Sequence, residues 1–267
     1  MELERALVAQ ETSPQWLRTT VEVDWSKETA LCSFGSVDVS YPWSVSVSST
    51  QGRYFPVQKP LTRKQSQGTT LLEHARCSIH FRQEDILAPQ HAKEVQRKIE
   101  DLREGLASDR CYKYNKPMIY RMVATVAEFD SSYRGLKEII LDSNAMAASG
   151  IVDFRALVDI NDGSRFSHTH PAYIDAFSQV AGFVMNANDN SDLEKEVFVN
   201  HGWDSLEFYT PIDPTIPYQC YTEMTRYEGS LYQGSVIIIS GDKVVGKFEN
   251  IKVSLSKQYE QSRAHTN

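Results

Sequence analysis

Asp175 and Gln179 stand four residues apart in the run Pro171-Ala-Tyr-Ile-Asp-Ala-Phe-Ser-Gln-Val-Ala-Gly-Phe-Val-Met-Asn186. On a helix that spacing puts both on one face, and Ser178, Gly182 and Asn186 lie near the same face. The other side carries Ile174, Phe177, Val180, Ala181, Val184 and Ala187 at helical period. Asp175 lies too far along the run to be the N-cap. A carboxyl group beside an apolar wall is pushed towards its neutral form, which suits proton transfer. Asp175 is therefore the candidate catalytic residue. Two histidines, His168 and His170, precede the run. On a strand they would point the same way, as a metal pair does. No third ligand follows at useful spacing, so neither a metal centre nor a cofactor is expected.

Other elements must position this helix. Pro171 suits its first turn, where a missing N–H costs nothing. Upstream, residues 136–141 and 150–160 read as strands, and residues 117–129 as a helix with Ile119, Met122, Val123, Val126 and Ala127 on one side. Downstream come strands at 197–200, 205–209, 217–227, 231–240 and 243–255. Glu228-Gly-Ser and Gly241-Asp make the last three a meander. Asn200-His201-Gly202 reads as a turn. A sheet packed around one long buried helix is a known two-layer solution.

The first part of the chain is different. Residues 16–25 and 29–34 read as a hairpin and 69–82 as a third strand. Between them, residues 37–68 lack periodicity and read as a long surface excursion. Residues 83–106 are charged helix formers with Pro89 as a plausible start. Their apolar stripe is thin (Val95, Ile99, Leu102, Leu106), so the segment is expected to connect the two halves. The first half thus shows strands and no matching central helix.

Composition narrows the function classes. The 267 residues are 41% hydrophobic and 24% charged, with a net charge of −7. An acidic chain argues against nucleic acid as partner. Four dispersed cysteines form no CxxC pair, and reduced thiols in a cytoplasmic chain are the simpler reading. The start Met-Glu-Leu-Glu-Arg has no apolar signal region, and no membrane span is expected. No Gly-rich phosphate loop, GxSxG or HExxH motif occurs.

Several separated stretches then carry a family resemblance. They are Ala6-Leu-Val-Ala-Gln, Glu73-His-Ala-Arg-Cys, Tyr120-Arg-Met-Val-Ala, Asp130-Ser-Ser-Tyr-Arg-Gly-Leu-Lys-Glu, His170-Pro-Ala-Tyr-Ile-Asp175, Gly182-Phe-Val-Met-Asn186 and Val199-Asn-His-Gly-Trp-Asp-Ser205. In this order, across nearly the whole chain, they resemble the product template domain of fungal non-reducing polyketide synthases. The resemblance implies an α+β double hot-dog fold: two curved antiparallel sheets, each wrapping a helix. Here the first hot-dog is expected to be incomplete (residues 1–82). A linker helix (83–110), a second, complete hot-dog (111–255) and a flexible tail (256–267) follow.

The resemblance also implies an activity. Such domains act as polyketide cyclases. They direct the aldol cyclisation and aromatisation of a poly-β-ketone held on an acyl carrier protein, among the other synthase domains. A His from the first hot-dog serves as base, with an Asp from the second helix. Asp175 matches that Asp; Gln179 and Asn200 match polar pocket positions that bind substrate. The Gly-His segment that carries the base lies upstream of the Ala-Leu-Val-Ala-Gln-like stretch in the family, and the chain starts after it. Two alternatives therefore stand beside the cyclase: a non-catalytic binding or scaffold module, and an inactive fragment that dimerises through an open edge. One of the two histidines His168 and His170 replacing the base is a further option. Deprotonating a carbon between two carbonyls suits a group of near-neutral pKa, and apolar walls suit a long flexible ketide.

Overall fold

The computed structural model describes residues 1–3, 16–37, 72–80, 89–124, 126–155, 157, 170–192 and 196–255. The expected excursion at 37–68 lies almost wholly outside these residues. So do the tail from 256, the start of the linker helix, and His168. The chain divides into two compact units, Met1–Gln83 and Glu84–Asn267.

The first unit is an antiparallel sheet. Its strands are β1 (Glu2–Leu3), β2 (Trp16–Asp24), β3 (Thr29–Val37) and β4 (Leu72–His80). They run in the order β2-β3-β4-β1. The Asp24 carboxylate closes the β2–β3 turn by accepting from the N–H groups of Ser26 and Lys27 at 3.0 and 3.2 Å. Ala30, Cys32 and Ala75 are buried. They share one face, because Cys32 lies opposite Val21 and Cys77, and Ala30 opposite Val23 and Ile79.

The second unit is built on one long antiparallel sheet. Its strands are β5 (Tyr112–Asn115), β6 (Leu136–Asp142), β7 (Ala147–Asp153), β8 (Phe198–Gly202), β9 (Ser205–Phe208), β10 (Pro217–Glu228), β11 (Leu231–Ser240) and β12 (Lys243–Leu255). The order is β8-β12-β11-β10-β7-β6-β5, with β9 pairing β12 further along. Among the described residues three α-helices accompany it: α1 (Pro89–Gly105), α2 (Lys116–Val123) and α3 (Pro171–Asn186). Helix α3 touches β6, β7, β8, β10, β11 and β12, so the sheet wraps it. This helix-in-sheet unit is the α+β hot-dog.

Alternation along the strands assigns the two faces. Ile139, Leu141, Ala148, Cys220 and Ile238 join the core around α3. Their neighbours Ile140, Ala147, Tyr221 and Ile239 face the other way and pack against Ile99 and Leu102 of α1. Helix α1 thus forms a third layer. Its thin stripe covers the back of this sheet. Arg110 anchors its end, donating to Asp142 at 3.0 Å and to Asp101 at 2.9 Å.

Two elements end earlier than their periodicity suggests. The strand read at 150–160 begins at Ala147 and stops at Asp153. Phe154 then turns fully into the core beside Tyr173, Phe177 and Tyr218. The helix read at 117–129 stops at Val123. Val126 and Ala127 continue the apolar period because they line a cavity beside α3, not because the helix goes on. The strand read at 69–82 is described from Leu72 to His80, and its remaining residues lie outside the described ones.

Candidate active site

Helix α3 starts where the local chemistry favours a start. Pro171 occupies the first turn, and His170 caps it, its Nδ1 accepting from the N–H of Ala172 at 3.1 Å. Phe177, Val180, Ala181 and Val184 are fully buried on the sheet side. Each large apolar side chain there contributes about 1.5–3 kcal/mol. That packing fixes the rotation of the helix. The small and polar residues Asp175, Ser178, Gln179, Gly182 and Asn186 then have only one place to face.

They face a cavity of about 310 Å³, within the usual size range of small-molecule sites. Its walls are mainly apolar, drawn from α2 and the residues after it (Ile119, Val123, Phe129), from β8 (Phe198, Val199), and from β12 (Ile251, Val253). Asp175, Gln179 and Asn200 all line it. The three sequence candidates therefore meet at one cavity, although Asn200 comes from a different element.

The polar groups are held in a chain of hydrogen bonds. The Leu136 N–H donates to the Tyr120 hydroxyl at 2.9 Å, and that hydroxyl donates to Gln179 Oε1 at 2.9 Å. Gln179 Nε2 in turn donates to Asp175 Oδ2 at 2.6 Å and to the Tyr133 carbonyl at 3.0 Å. Every amide position of Gln179 thus has an assigned direction: its oxygen towards Tyr120, its nitrogen towards Asp175. Burial pushes the Asp175 carboxyl above its usual range, and the Gln179 hydrogen bond partly opposes this. Burial also drives the Tyr120 hydroxyl well up, so it stays a neutral donor.

Asn186 is spent on backbone, and Asn200 uses its oxygen there. Asn186 Nδ2 donates to the Phe198 carbonyl at 2.9 Å, and its Oδ1 accepts from the Phe198 N–H at 2.9 Å. This side chain imitates a strand neighbour and ties the end of α3 to β8. Asn200 Oδ1 accepts from the Gly202 N–H at 2.6 Å. Gly202 has φ of 123°, a conformation glycine takes without penalty. His170 serves as a helix cap and does not line the cavity, and His168 lies outside the described residues. Among the described residues no cluster of three potential metal ligands occurs.

Tyr120 is the site residue that sequence reasoning overlooked. It follows the buried Ile119 on a short amphipathic helix, and its hydroxyl could have been flagged as needing a buried partner. Nothing local says that the partner is 59 residues away.

Residues 90–263 match the family described as "Polyketide synthase dehydratase N-terminal domain". Non-reducing polyketide synthase CTB1 of Cercospora beticola is 37% identical over 243 residues, covering 89% of this chain and 10% of that protein. Norsolorinic acid synthase stcA of Emericella nidulans is 34% identical over 256 residues, covering 95% of this chain and 10% of that protein. Non-reducing polyketide synthase pgmA of Aspergillus terreus is 40% identical over 185 residues, 68% of this chain and 8% of that protein. The chain thus spans about a tenth of the length of these synthases.

Among solved structures, the dehydratase domain from the CurJ module of curacin polyketide synthase superposes with a TM-score of 0.62 at 14% identity. It covers 97% of this chain and 74% of that one. The dehydratase domain of PpsC from Mycobacterium tuberculosis gives a TM-score of 0.59 at 14% identity, over 96% of this chain and 73% of that one. At such identity these structures speak for the shared hot-dog fold alone. With the family match over most of its length and its kinship to a segment of the fungal non-reducing synthases, this chain belongs to the polyketide synthase dehydratase family.

Proposed function

We propose that the chain is a product-template-type cyclase, which folds a carrier-bound poly-β-ketone and directs its aldol cyclisation and aromatisation. The observation that carries the reading is the placement of Asp175. It is the acid on the cavity wall, its pKa is raised by burial, and Gln179 fixes its orientation.

The chemistry follows from that placement. An aldol closure removes a proton from a carbon between two carbonyls, forms a carbon–carbon bond to a second carbonyl carbon, and protonates the oxygen there. Loss of water then aromatises the ring. A carboxyl group with a raised pKa can deliver a proton to that oxygen and assist its departure. The apolar walls favour a folded ketide over an extended, hydrated one and limit competing water. Wall shape selects which carbons meet. Among the described residues no histidine lines the cavity, so the proposal assigns Asp175 the acid and positioning role and leaves the base unassigned. The partners implied are an acyl carrier protein and the condensing domains of a cytoplasmic synthase.

The test replaces the matching segment of a non-reducing synthase with this chain. A single aromatic product is expected, against the mixture that uncatalysed cyclisation gives without it. Asp175→Asn should restore the mixture while the protein still folds. A product spectrum indifferent to the chain would sink the cyclase assignment. Retained ketide binding in that case would instead favour a scaffold module.

A further inference from the structure

Gly182 occupies a position where glycine is costly. It sits in the interior of a sixteen-residue helix, where glycine is about 1 kcal/mol worse than alanine. Other glycines of this unit have packing reasons. A Cβ on Gly135 would come within 2.7 Å of Ala176 Cβ, and one on Gly150 within 3.0 Å of Val180 Cγ2. Gly202, Gly229 and Gly241 have positive φ. Neither reason applies to Gly182: among the described residues a Cβ there meets nothing within 4 Å, and its φ is not positive.

What glycine leaves at this place is room. Gly182 lines the cavity, between Gln179 and Asn186 on the same face of α3. It lies seven residues beyond Asp175, about 10 Å along the axis at the helical rise. The cavity therefore runs along the bare stripe of the helix, away from the acid. Next to Gly182 the lining is Phe183 and Asn186, facing Phe198, Val199 and Asn200 of β8 and Ile251 and Val253 of β12, and the amide of Asn186 is used up on Phe198 and on the Gly182 carbonyl. That end offers an alkyl or ketide tail apolar surface.

We propose that Gly182 determines the length of acyl or ketide chain that the cavity takes, by leaving the α3 backbone uncovered in the part of the cavity about two turns beyond Asp175. This rests on the reading of the cavity as a ketide site and adds to it a residue and a dimension. A side chain at 182 would close the distal space and leave the region around Asp175 as it is.

The probe is a series of straight-chain acyl thioesters of N-acetylcysteamine, from four carbons upward, titrated into the wild-type chain, Gly182→Ala and Gly182→Leu. For the wild type, affinity should rise by about fourfold per added methylene until the cavity is full. Gly182→Leu should bind short members within about twofold of wild type and lose at least tenfold for long ones. Gly182→Ala should shift the length limit less and melt at or above the wild-type temperature, which separates lost space from lost folding. Equal weakening at every length, or no weakening, overturns the role of Gly182 while the cavity reading stands. Absence of binding by the wild type at every length overturns both.

Discussion

Gln179 Nε2 lies 2.6 Å from Asp175 Oδ2, one helical turn away, with its amide held from behind by the Tyr120 hydroxyl at 2.9 Å. The helix alone would bring the two residues together in some fraction of rotamers. Tyr120 and the Tyr133 carbonyl select one amide orientation, so the carboxylate meets a donor that is already aimed. Sites that hold their donors in advance lose less in reorganisation when a reaction moves charge.

Asp175 should make stability depend on pH with a definite sign. Burial raises its pKa in the folded state above the ordinary carboxylate value of 3.8. The folded state therefore holds the proton more tightly than the unfolded state. That contribution is fully present below 3.8 and is lost as pH rises through the folded pKa. Asp175→Asn removes the ionisable group and keeps the shape. The variant should melt above the wild type at neutral pH, and the gap should close as pH falls towards 3.8. Melting temperatures across that window check it; a gap independent of pH would contradict the burial argument.

Tyr120→Phe tests the relay from behind. It leaves the Leu136 N–H and Gln179 Oε1 without their partner in a buried setting. The expected loss is about 1–3 kcal/mol in urea unfolding. The Gln179 amide then keeps the Tyr133 carbonyl but loses the partner of its oxygen, so a cyclase assay should show a larger drop for kcat than the stability loss explains. If kcat is retained, the Tyr120 hydroxyl is a structural donor only.

Asn186→Ala tests the joint between α3 and β8. Asn186 is 4% exposed and satisfies both backbone groups of Phe198. Without it a buried N–H and C=O lose their partner, at a cost of about 2 kcal/mol or more. Hydrogen exchange should speed up at Phe198 and its β8 neighbours before it does at β10 or β11. Uniform acceleration would mean that Asn186 serves global packing and not this joint.

Much of the central helix can be read directly from the chain. Pro171 marks the start, Phe177, Val180, Ala181 and Val184 repeat at helical period, and Asp175 with Gln179 must share a face. These are consequences of 3.6 residues per turn and of one buried side. The meander β10–β11–β12 is equally local, since its turns carry glycines with φ of 55° and 61°. The α1 stripe was also readable as a contact surface, but which partner it covers was not.

Sequence alone determined that a carboxyl group, an amide and a set of small residues would lie along one side of an apolar helix. Tertiary structure decided what that side faces. The cavity needs walls from α2, β8 and β12, whose Ile251 and Val253 lie more than sixty residues beyond the end of α3 in the chain. Tyr120 becomes part of the site only when α2 packs across α3, and Val126 and Ala127 only because the chain leaves the helix early. Helical period is a property of neighbours in sequence, so it is written locally. Burial, desolvation of Asp175 and the choice among Gln179 rotamers depend on atoms from distant segments, and these exist together only once the sheet has closed around the helix.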